Sequence, residues 1–359
     1  MTTLLTGASG FLGGKYLDII KEQSDENYIL LLRENSFARL LKELKDYPHI
    51  ELVKGHLQHP DLFVENHDNK VVIEKLKAVK KVIHLAALYD FDASKERLYK
   101  SNVIGTQNVL FFCEHCPQLE KVVYASTIAV SGDFDGPFSE DDFDLGQNHP
   151  NPYAKTKFEA EGLVRNWSKK NPSVQVDILR FGIIVGDTIT GEFQKGDGPY
   201  YFFKNIGNLF AKVPSLSLLN FVPFPFEGKS IFPLVPVDFA ASALFKIQKL
   251  NHENLKCFHI IAKNAPKMDV FMEDFLKEIG RPMKVISLPS FRPIKTLLAK
   301  SLKVFNIPEA LVDYLYFKTK FINRYYDLEF GSESRADYQD FKSIFFGKAI
   351  DVYMKRGER

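Results

Sequence analysis

The sequence predicts an α/β fold, a doubly wound parallel sheet with a smaller, mostly C-terminal lobe. Short apolar runs alternate with longer amphipathic segments through the first half of the chain, as in βαβ units, and the alternation stops after Arg180. The length of 359 residues fits roughly two domains at ~150 residues each. We expect residues 1–186 to form the first domain, with 231–262 returning to it, and residues 187–230 and 263–359 to form the lobe.

The apolar runs and helical periods set the individual elements. In the first half, strands are predicted at 2–6, 28–33, 50–54, 81–86, 121–125 and 175–180. Helical patterns separate them at 11–24, 36–46, 97–116 and 153–170. In the second half we expect a short strand running into a helix at 233–247, strands at 257–262 and 284–290, a helix at 269–279 and three amphipathic helices within 291–359. Parallel strands joined by helices cross over right-handedly, so these elements assemble into a doubly wound sheet.

Charge and cysteine content narrow the classes of function. The formal net charge of +2 offers no broad field for gripping nucleic acid or an anionic membrane. Cys113, Cys116 and Cys257 are too few for a disulfide framework, so we expect reduced thiols and a cytoplasmic protein. Cys113 and Cys116 have CxxC spacing, but they lack a second pair and we expect no metal. We also expect no signal peptide at Met1 and no membrane span, since the apolar stretch 213–226 is shorter than ~20 residues and contains prolines.

A glycine-rich turn, TGASGFLG at residues 6–13, joins the first predicted strand to the first helix. Gly7 permits the tight turn, Gly10 lets the backbone approach a pyrophosphate, and Gly13 lets helix and strand pack closely. The N–H groups at the start of the helix then face the anion. At the first βα junction of an alternating pattern, this turn predicts a Rossmann-type dinucleotide site.

The end of the second strand indicates which dinucleotide is bound. Arg33 stands where an NAD site usually has an acidic residue for the ribose 2′-hydroxyl. Arg33, Ser36 and Arg39 can instead hold a 2′-phosphate, although Glu34 beside them is an acid. We therefore predict NADP(H) as the cofactor. The alternative interpretation is that the two arginines only solvate the start of a helix.

Tyr153 and Lys157 are four residues apart on a predicted helix, so their side chains share one face. A carbonyl reduced by hydride needs a proton, and an adjacent ammonium lowers the pKa of a phenol toward the working range. Ser126 and Thr127 follow the fifth predicted strand at the edge where ligands bind, and a hydroxyl there can stabilise an oxyanion. These residues predict carbonyl reduction, with a surface pair as the alternative interpretation of Tyr153 and Lys157.

Five motifs occur in the order and spacing of the extended short-chain dehydrogenase/reductase family, which the chain resembles from residue 2 to about 245. They lie at 6–13, 84–87, 102–106, 126–127 and 153–157, and residues 235–238 resemble a late strand-to-helix motif of the family. The resemblance implies that Tyr153 is the catalytic acid, that Lys157 tunes its pKa and binds ribose, and that Thr127, or Ser126 one residue earlier, orients the carbonyl.

The sequence departs from the family pattern at two positions near the cofactor. His56 replaces the aspartate that usually binds adenine, and a neutral imidazole can accept a hydrogen bond in its place. Phe181 replaces the proline that usually follows Arg180. The expected cofactor contacts are Gly7, Ser9, Gly10, Phe11, Leu12, Gly13, Arg33, Ser36, Arg39, His56, Leu57, Ala86, Ala87, Asn102, Tyr153, Lys157, Phe181 and Ile183.

Within the family, residues 179–192 and 234–238 look most like the branch that contains fatty acyl-CoA reductases and the thioester-reductase domains of carboxylic acid reductases. The lobe also contains apolar side chains that could line an acyl or sterol tunnel, although packing is the more frequent role of such residues. They are Tyr200, Tyr201, Phe202, Phe203, Phe210, Leu216, Leu218, Leu219, Phe221, Phe224 and Phe226. Residues 294–305 predict an amphipathic core helix with a lysine face, and peripheral membrane contact is the minority interpretation.

We therefore predict an NADPH-dependent reductase of a hydrophobic carbonyl. The first candidate substrate is a fatty acyl thioester, free or carrier-bound, or the aldehyde that it yields. One alternative is a ketone reductase or alcohol dehydrogenase that acts on a steroid-like or flavonoid-like ring. Another is a catalytically silent protein that senses NADP. Sugar-nucleotide epimerisation is disfavoured because residues 200–226 offer few polar or cationic groups.

Overall fold

A computed structural model describes residues 1–23, 25–60, 62, 70–90, 93–193, 199–200, 203, 220–224, 230–287 and 318–354, with backbone alone for 70–73 and 222–224. The chain divides into two compact units. Unit 1 comprises Met1–Val130, Pro152–Phe181 and Ala240–Ile260, and unit 2 comprises Ser131–Asn151, Gly182–Phe239 and Ile261–Arg359. The sequence analysis predicts that residues 187–230 and 263–359 form a substrate-binding lobe, and this role stays a prediction.

The elements are numbered in chain order. The strands are β1 (Thr2–Thr6), β2 (Asn27–Leu32), β3 (Ile50–Lys54), β4 (Lys81–His84), β5 (Lys121–Thr127), β6 (Gly136–Phe138), β7 (Gln175–Phe181), β8 (Ile183–Val185), β9 (Phe221–Phe224), β10 (Leu234–Pro236), β11 (Leu255–Ile260), β12 (Lys284–Ser287) and β13 (Thr319–Phe321). The α-helices are α1 (Phe11–Gln23), α2 (Glu34–Glu43), α3 (Lys70–Lys77), α4 (Lys95–Tyr99), α5 (Gly105–Glu114), α6 (Pro152–Lys170), α7 (Val237–Ile247), α8 (Met268–Glu278), α9 (Arg324–Phe330) and α10 (Tyr338–Tyr353).

The central sheet of unit 1 has seven parallel strands among the described residues, in the order β11-β7-β5-β4-β1-β2-β3. From β1 the chain runs outward to β3, then returns to β4 and runs outward in the opposite direction. This reversal between β1 and β4 is the switch point of a doubly wound sheet, where ligands bind beyond the carboxyl ends of the strands. The predicted fold class is confirmed.

The strands of this sheet are nearly continuous apolar runs, as expected when helices cover both faces of a parallel sheet. In β2, every residue after Asn27 is buried, and all of β4 is buried. The core packs Val82 and Val122 from the strands against Val109 of α5 and Val164 of α6. Burial of these side chains fixes the positions of the strands, and therefore of the loops that follow their carboxyl ends.

Several elements differ from the sequence prediction. The helix α3 was not predicted, because its β-branched residues have low helix propensity. The strands β6, β8, β9 and β13 were also missed, since they are short and lie in stretches without a sustained period. The single helix predicted at 97–116 is wrong in detail: a π-helical turn, Lys100–Ile104, separates α4 from α5. It forms because the amide of Gly105 bonds to the carbonyl of Lys100, five residues earlier.

Among the residues of unit 2 that the structure describes, there are three small parallel pairings, β8 with β10, β9 with β12 and β6 with β13. Glu140 stabilises the start of α9, since its carboxylate accepts hydrogen bonds from the amides of Arg324 at 2.8 Å and Tyr325 at 3.0 Å. None of the helices in the described ranges is long and apolar enough to cross a membrane.

An aromatic cluster forms the core of unit 2. The ring of Phe203 is fully buried, and its centroid lies 4.4 Å from that of Phe275 and 5.4 Å from that of Phe345. Tyr200 stacks on Phe193 at 3.9 Å, and its hydroxyl accepts a hydrogen bond from the amide of Gly186 at 2.9 Å. Tyr200 and Phe203 therefore pack within this core.

The other residues considered for a tunnel are not described to the same extent. Phe221 is 48% exposed, and only the backbone of Phe224 is described. Those outside the described residues are Tyr201, Phe202, Phe210, Leu216, Leu218, Leu219 and Phe226. The amphipathic helix predicted at 294–305 also lies outside them.

Candidate active site

The turn between β1 and α1 has the close packing expected of a pyrophosphate cradle. Gly7 has a φ of +83°, a left-handed conformation that favours glycine. A Cβ on Gly7 would lie 2.5 Å from the nitrogen of Ala86, and one on Gly13 would lie 2.1 Å from the carbonyl oxygen of Gly7. Side chains are thus excluded where the backbone N–H groups of a helix start can meet phosphates, so the turn fits a dinucleotide. The predicted contacts between the two glycines are Ser9, Gly10, Phe11 and Leu12.

The basic residues that were assigned to a 2′-phosphate lie after β2. Arg33 is exposed directly after the strand, Ser36 is half-buried in the first turn of α2, and Arg39 is exposed one turn further on. Glu34 pairs with Lys54 at the end of β3, with the ammonium 2.9 Å from its carboxylate. Glu34, the acid that could bind a ribose hydroxyl, is therefore paired with Lys54. Arg33 directly follows β2, the strand beside β1, at the same edge of the sheet as the glycine turn.

His56 follows β3, and its Nδ1 accepts a hydrogen bond from the amide of Gln58 at 3.2 Å. Burial, His59 and Arg33 lower the pKa of the imidazole, so the ring is neutral at neutral pH and its proton is on Nε2. The nitrogen left for a ligand, Nε2, is therefore a donor, whereas the sequence predicted an acceptor. The difference arises because the amide of Gln58 already occupies the acceptor nitrogen, Nδ1. The neighbouring Leu57 is held by its carbonyl, which accepts from Asn108 Nδ2 at 2.7 Å.

A buried polar chain lies beneath the ends of β1 and β4. His84 Nδ1 is 2.7 Å from Thr6 Oγ1, and His84 Nε2 is 3.1 Å from Thr106 Oγ1. Burial and the charge of Lys157 lower the pKa of His84 to about 3, so the ring is neutral. The hydroxyl of Thr106 donates to the carbonyl of Asn102 at 2.7 Å. It must therefore accept from the Nε2–H of His84, and the hydroxyl of Thr6 donates to Nδ1.

Asn102 lies in the π-helical turn and fixes the segment after β4, which contains the predicted cofactor contacts Ala86 and Ala87. Its Oδ1 accepts from the amide of Leu88 at 2.7 Å, and its Nδ2 donates to the carbonyl of Leu88 at 3.1 Å. The same Nδ2 donates to Thr156 Oγ1 of α6 at 3.1 Å. Asn102 is thus a buried brace between this segment and the helix that carries Tyr153.

Thr127 and Tyr153 are brought together, and the hydroxyl of Thr127 is close enough to the phenol to favour its ionised form. Burial nevertheless raises the pKa of Tyr153 to about 12. Thr127 Oγ1 accepts from the amide of Ala129 at 3.2 Å, which leaves its proton for the phenol oxygen. The ring of Tyr89 lies edge-on to that of Tyr153, with 4.9 Å between centroids. Tyr153 is therefore a buried phenol that stays protonated at neutral pH.

Ser126 points to a different partner from Thr127. Its hydroxyl donates to Glu161 Oε2 at 2.6 Å. The Ser126 hydroxyl is thus committed to a carboxylate further along α6, whereas Thr127 is the neighbour of Tyr153. The geometry therefore favours Thr127 for the carbonyl-orienting role that the sequence left open.

Lys157 shares the buried face of α6 with Tyr153, as the spacing predicts. Its ammonium donates to the hydroxyl of Tyr124 at 2.8 Å and to the carbonyl of Ala125 at 2.7 Å. Burial lowers the pKa of Lys157 to about 7, and the charge of Glu161 opposes the fall. The expected lowering of the Tyr153 pKa is not found in this structure, because burial dominates and the ammonium binds β5 instead.

Glu161 lies one further turn along the same face of α6 and was not singled out from the sequence. Its carboxylate is fully buried, 2.7 Å from Arg180 Nη2 and 2.9 Å from Arg165 Nε. Burial alone would raise its pKa, but the charges of Arg180 and Arg165 outweigh that and hold it at about 2. A charged residue eight positions after Tyr153 on a buried face was the available signal in the sequence. Tyr124 was missed as well, because nothing in the sequence of β5 indicates that its hydroxyl contacts Lys157.

The remaining predicted residues are placed as follows. Phe181 is the buried last residue of β7, in register with Thr127 of β5. Ile183 begins β8, in unit 2. Cys113 and Cys116 are buried free thiols, and burial raises the pKa of Cys116 to about 12. Within the described residues no cluster of side chains could hold a metal ion.

The doubly wound sheet, the glycine turn and the set of Thr127, Tyr153 and Lys157 define an extended short-chain dehydrogenase/reductase. The chain belongs to the NAD-binding family described as "Male sterility protein", whose profile matches residues 5–244. The resemblance inferred from the sequence motifs is thereby confirmed. The chain is an NAD(P)-binding protein of an oxidoreductase family.

Relatives identified by sequence are mostly larger proteins. A subunit of the linear gramicidin synthase of Brevibacillus parabrevis is 28% identical over 284 residues, which cover 74% of this chain and 5% of that protein. UDP-glucose 4-epimerase of Caenorhabditis elegans is 28% identical over 210 residues, which cover 55% of this chain and 58% of that protein. The chain thus spans less than two thirds of the length of these relatives.

Solved structures share the whole fold. The terminal R domain from the myxalamid PKS-NRPS biosynthetic pathway superposes with a TM-score of 0.76 at 21% identity, over 98% of this chain and 91% of that one. A thiolation-reductase di-domain from an archaeal non-ribosomal peptide synthetase gives a TM-score of 0.65 at 21% identity, with the same coverage of 98% and 91%. At these identities the likeness establishes the fold.

Proposed function

We propose that the protein is an NADPH-dependent reductase of a hydrophobic acyl thioester or of the aldehyde that the thioester yields. The observation that carries this proposal is that Thr127 at the carboxyl end of β5 is a close neighbour of Tyr153 on the buried face of α6, with Lys157 one turn further along that face. Two adjacent hydroxyl groups of this kind can hold and protonate a carbonyl oxygen. The proposed location is the cytoplasm, which suits three buried free thiols.

The proposed chemistry assigns a role to each residue. A bound nicotinamide dinucleotide supplies the hydride. Tyr153 holds its proton at neutral pH, because burial raises its pKa to about 12, and it donates that proton to the carbonyl oxygen as negative charge develops. Thr127 donates a hydrogen bond to the same oxygen. When the substrate is a thioester, the protonated adduct expels the thiol and leaves an aldehyde.

The preference for NADPH rests on charge at the end of β2. Arg33 and Arg39 are exposed there, and Ser36 adds a hydroxyl. Glu34 would repel a 2′-phosphate, but its ion pair with Lys54 offsets that charge. A guanidinium can bind phosphate with two parallel hydrogen bonds, which are stronger than those between neutral groups. These contacts support NADP(H) over NAD(H).

A carrier-bound or CoA-bound acyl group is the proposed substrate. The resemblance of residues 179–192 and 234–238 to thioester reductases supports it. The similarity to part of a linear gramicidin synthase and to a reductase joined to a thiolation domain points in the same direction.

The test compares NADPH consumption on matched acyl-CoA, acyl-pantetheine, aldehyde, ring-ketone and sugar-nucleotide substrates. We expect turnover of the thioester and the aldehyde. Turnover of ring ketones alone would move the function to the alternative reductase, and turnover of sugar nucleotides would move it to the chemistry named in the epimerase relatives. NADPH binding without turnover of any substrate would favour the cofactor-sensing protein.

The cofactor preference has its own test. Arg33→Ala should reduce the ratio of NADPH to NADH affinity by roughly tenfold or more, since a charge-assisted contact contributes ~1.5–3 kcal/mol. Lys75→Ala is the matched control, because it also removes one positive charge, at a surface lysine that pairs with Glu51. Equal affinities for the two cofactors in the unmodified protein would contradict the assignment.

A further inference from the structure

Lys157 lies on α6, but its ammonium donates hydrogen bonds to two residues of β5. It donates to Tyr124 Oη at 2.8 Å and to the Ala125 carbonyl at 2.7 Å, and it lies 4.4 Å from the centroid of the Tyr124 ring. An ammonium has three N–H donors. Two of them are used by β5, so one remains for the ribose contact assigned to Lys157 above.

The hydroxyl of Thr106 is a further polar neighbour of the Tyr124 phenol, and it opposes the rise in pKa that burial causes. Thr106 spends its single proton on the carbonyl of Asn102, 2.7 Å away. It accepts from the Nε2–H of His84 at 3.1 Å. Because an ammonium has only donors, a lone pair of the Tyr124 oxygen faces Lys157.

The titratable neighbours of Lys157 come from three elements. Tyr124 lies on β5 and His84 on β4, while Tyr153 and Glu161 lie one turn away on either side of it on α6. Burial keeps both tyrosines protonated by raising the pKa of each, and His84 is neutral because its pKa is lowered to about 3. Of these neighbours, Glu161 carries the charge that favours the ammonium. The hydroxyl of Tyr124 supplies the closest neutral acceptor from a side chain.

We propose that Tyr124 is a positioning residue that holds Lys157 in its ammonium form and aims its remaining N–H at the cofactor. The assignment rests on the proposed reductase function of Lys157. Tyr124 itself touches neither substrate nor cofactor in this role. Removing its hydroxyl should leave Lys157 in place on α6 but make the ammonium easier to deprotonate.

The experiment compares Tyr124→Phe with Tyr28→Phe. Tyr124→Phe keeps the aromatic ring and its contact with the cation but removes the acceptor oxygen. Tyr28→Phe removes a buried hydroxyl from β2 of the same sheet, where it lies 3.4 Å from that of Tyr16. Lysine labelled with ¹³C at Cε is titrated by NMR in the full chain without substrate, and the Lys157 signal is assigned by its loss in Lys157→Met.

In Tyr124→Phe the midpoint for Lys157 should fall by about one pH unit, and the alkaline limb of NADPH affinity and of kcat/KM should move with it. Tyr28→Phe should leave all three unchanged. An unchanged Lys157 midpoint in Tyr124→Phe would overturn the proposal, as would equal shifts in both variants. Absence of reductase turnover in the unmodified protein would defeat the proposed function, while the NMR titration would still decide the role of Tyr124.

A second variant covers the case in which Tyr124→Phe does not fold. Tyr124→Met removes the phenol oxygen and replaces the ring by a flexible apolar chain that can fill the same space. It should lower the Lys157 midpoint in the same direction as Tyr124→Phe. No shift in folded Tyr124→Met would contradict the role assigned to the Tyr124 hydroxyl.

Discussion

Glu161→Gln tests the buried ion pair beneath the candidate active site. The side chains of Glu161 and Arg180 are both 0% exposed and lie 2.7 Å apart. The substitution keeps the size of the side chain but leaves the guanidinium without its carboxylate, and breaking a buried pair from one side costs ~3–5 kcal/mol. In a domain of ~150–250 residues, 1 kcal/mol shifts Tm by about 2–4 °C, so the loss should be roughly 6–20 °C.

The assay is thermal unfolding followed by circular dichroism, with Glu51→Gln as control. Glu51 and Lys75 form a surface pair with 42% and 49% of their side chains exposed, and such pairs contribute only ~0–1 kcal/mol. Equal losses of Tm in the two variants would refute the reasoning. Replacing both buried partners, as Glu161→Leu with Arg180→Met, should recover part of the stability because the fully buried guanidinium is removed too, while Arg165, whose side chain is 16% exposed, loses its partner.

The same ion pair sets a pH dependence. The pKa of Glu161 is held at about 2, below its ordinary value of 4.5. A lowered pKa in the folded state stabilises the protein above the ordinary value, and this contribution is lost as the pH falls from 4.5 toward 2. The difference in unfolding free energy between the unmodified protein and Glu161→Gln should therefore shrink over that range. A constant difference down to the lowest pH measured would contradict it.

Three further variants separate catalysis, cofactor binding and packing. Tyr153→Phe should lower turnover by at least ~10²-fold with little change in NADPH affinity, and retained turnover would place the acid elsewhere. Gly13→Ala should abolish NADPH binding measured by fluorescence titration, since its Cβ would lie 2.1 Å from the Gly7 carbonyl oxygen. Gly14→Ala should bind NADPH normally, since its Cβ would meet no atom within 4 Å beyond its chain neighbours and its own helix backbone. Phe203→Ala should lose ~3–5 kcal/mol of stability in urea unfolding. Phe221→Ala, at a side chain 48% exposed, should lose little stability, and if this residue lines an acyl pocket it should flatten the rise of kcat/KM with chain length. A flat profile in the unmodified protein would argue against such a pocket.

The fold of unit 1 could be predicted from the sequence because its information is local. Most strands of the sheet contain a short apolar run, such as that of β2, and a glycine turn follows β1. The strand β6 could not be found in this way, since its partner β13 lies far along the chain and pairs Gly136 with Thr319. Such pairings depend on tertiary contacts that short-range patterns do not encode.

The candidate site was predictable in its residues but not in its contacts. The spacing of Tyr153 and Lys157 predicts a shared helix face, which the structure has. It does not indicate that the ammonium meets β5, because that contact depends on where Tyr124 lies across the sheet. The pairing of Glu34 with Lys54 was hidden for the same reason, as it joins the ends of two different strands.

The edge strand β11 has a consequence for how the protein is made. It completes the sheet beside β7, yet its residues Leu255–Ile260 are synthesised after the long segment Gly182–Phe239, which belongs to unit 2. Until β11 leaves the ribosome, β7 has one unpaired edge along a buried, largely apolar strand. Such an edge is a template for pairing with other chains. Chain termination or slow synthesis between these two strands therefore favours aggregation, even when every contact of the finished sheet is intact.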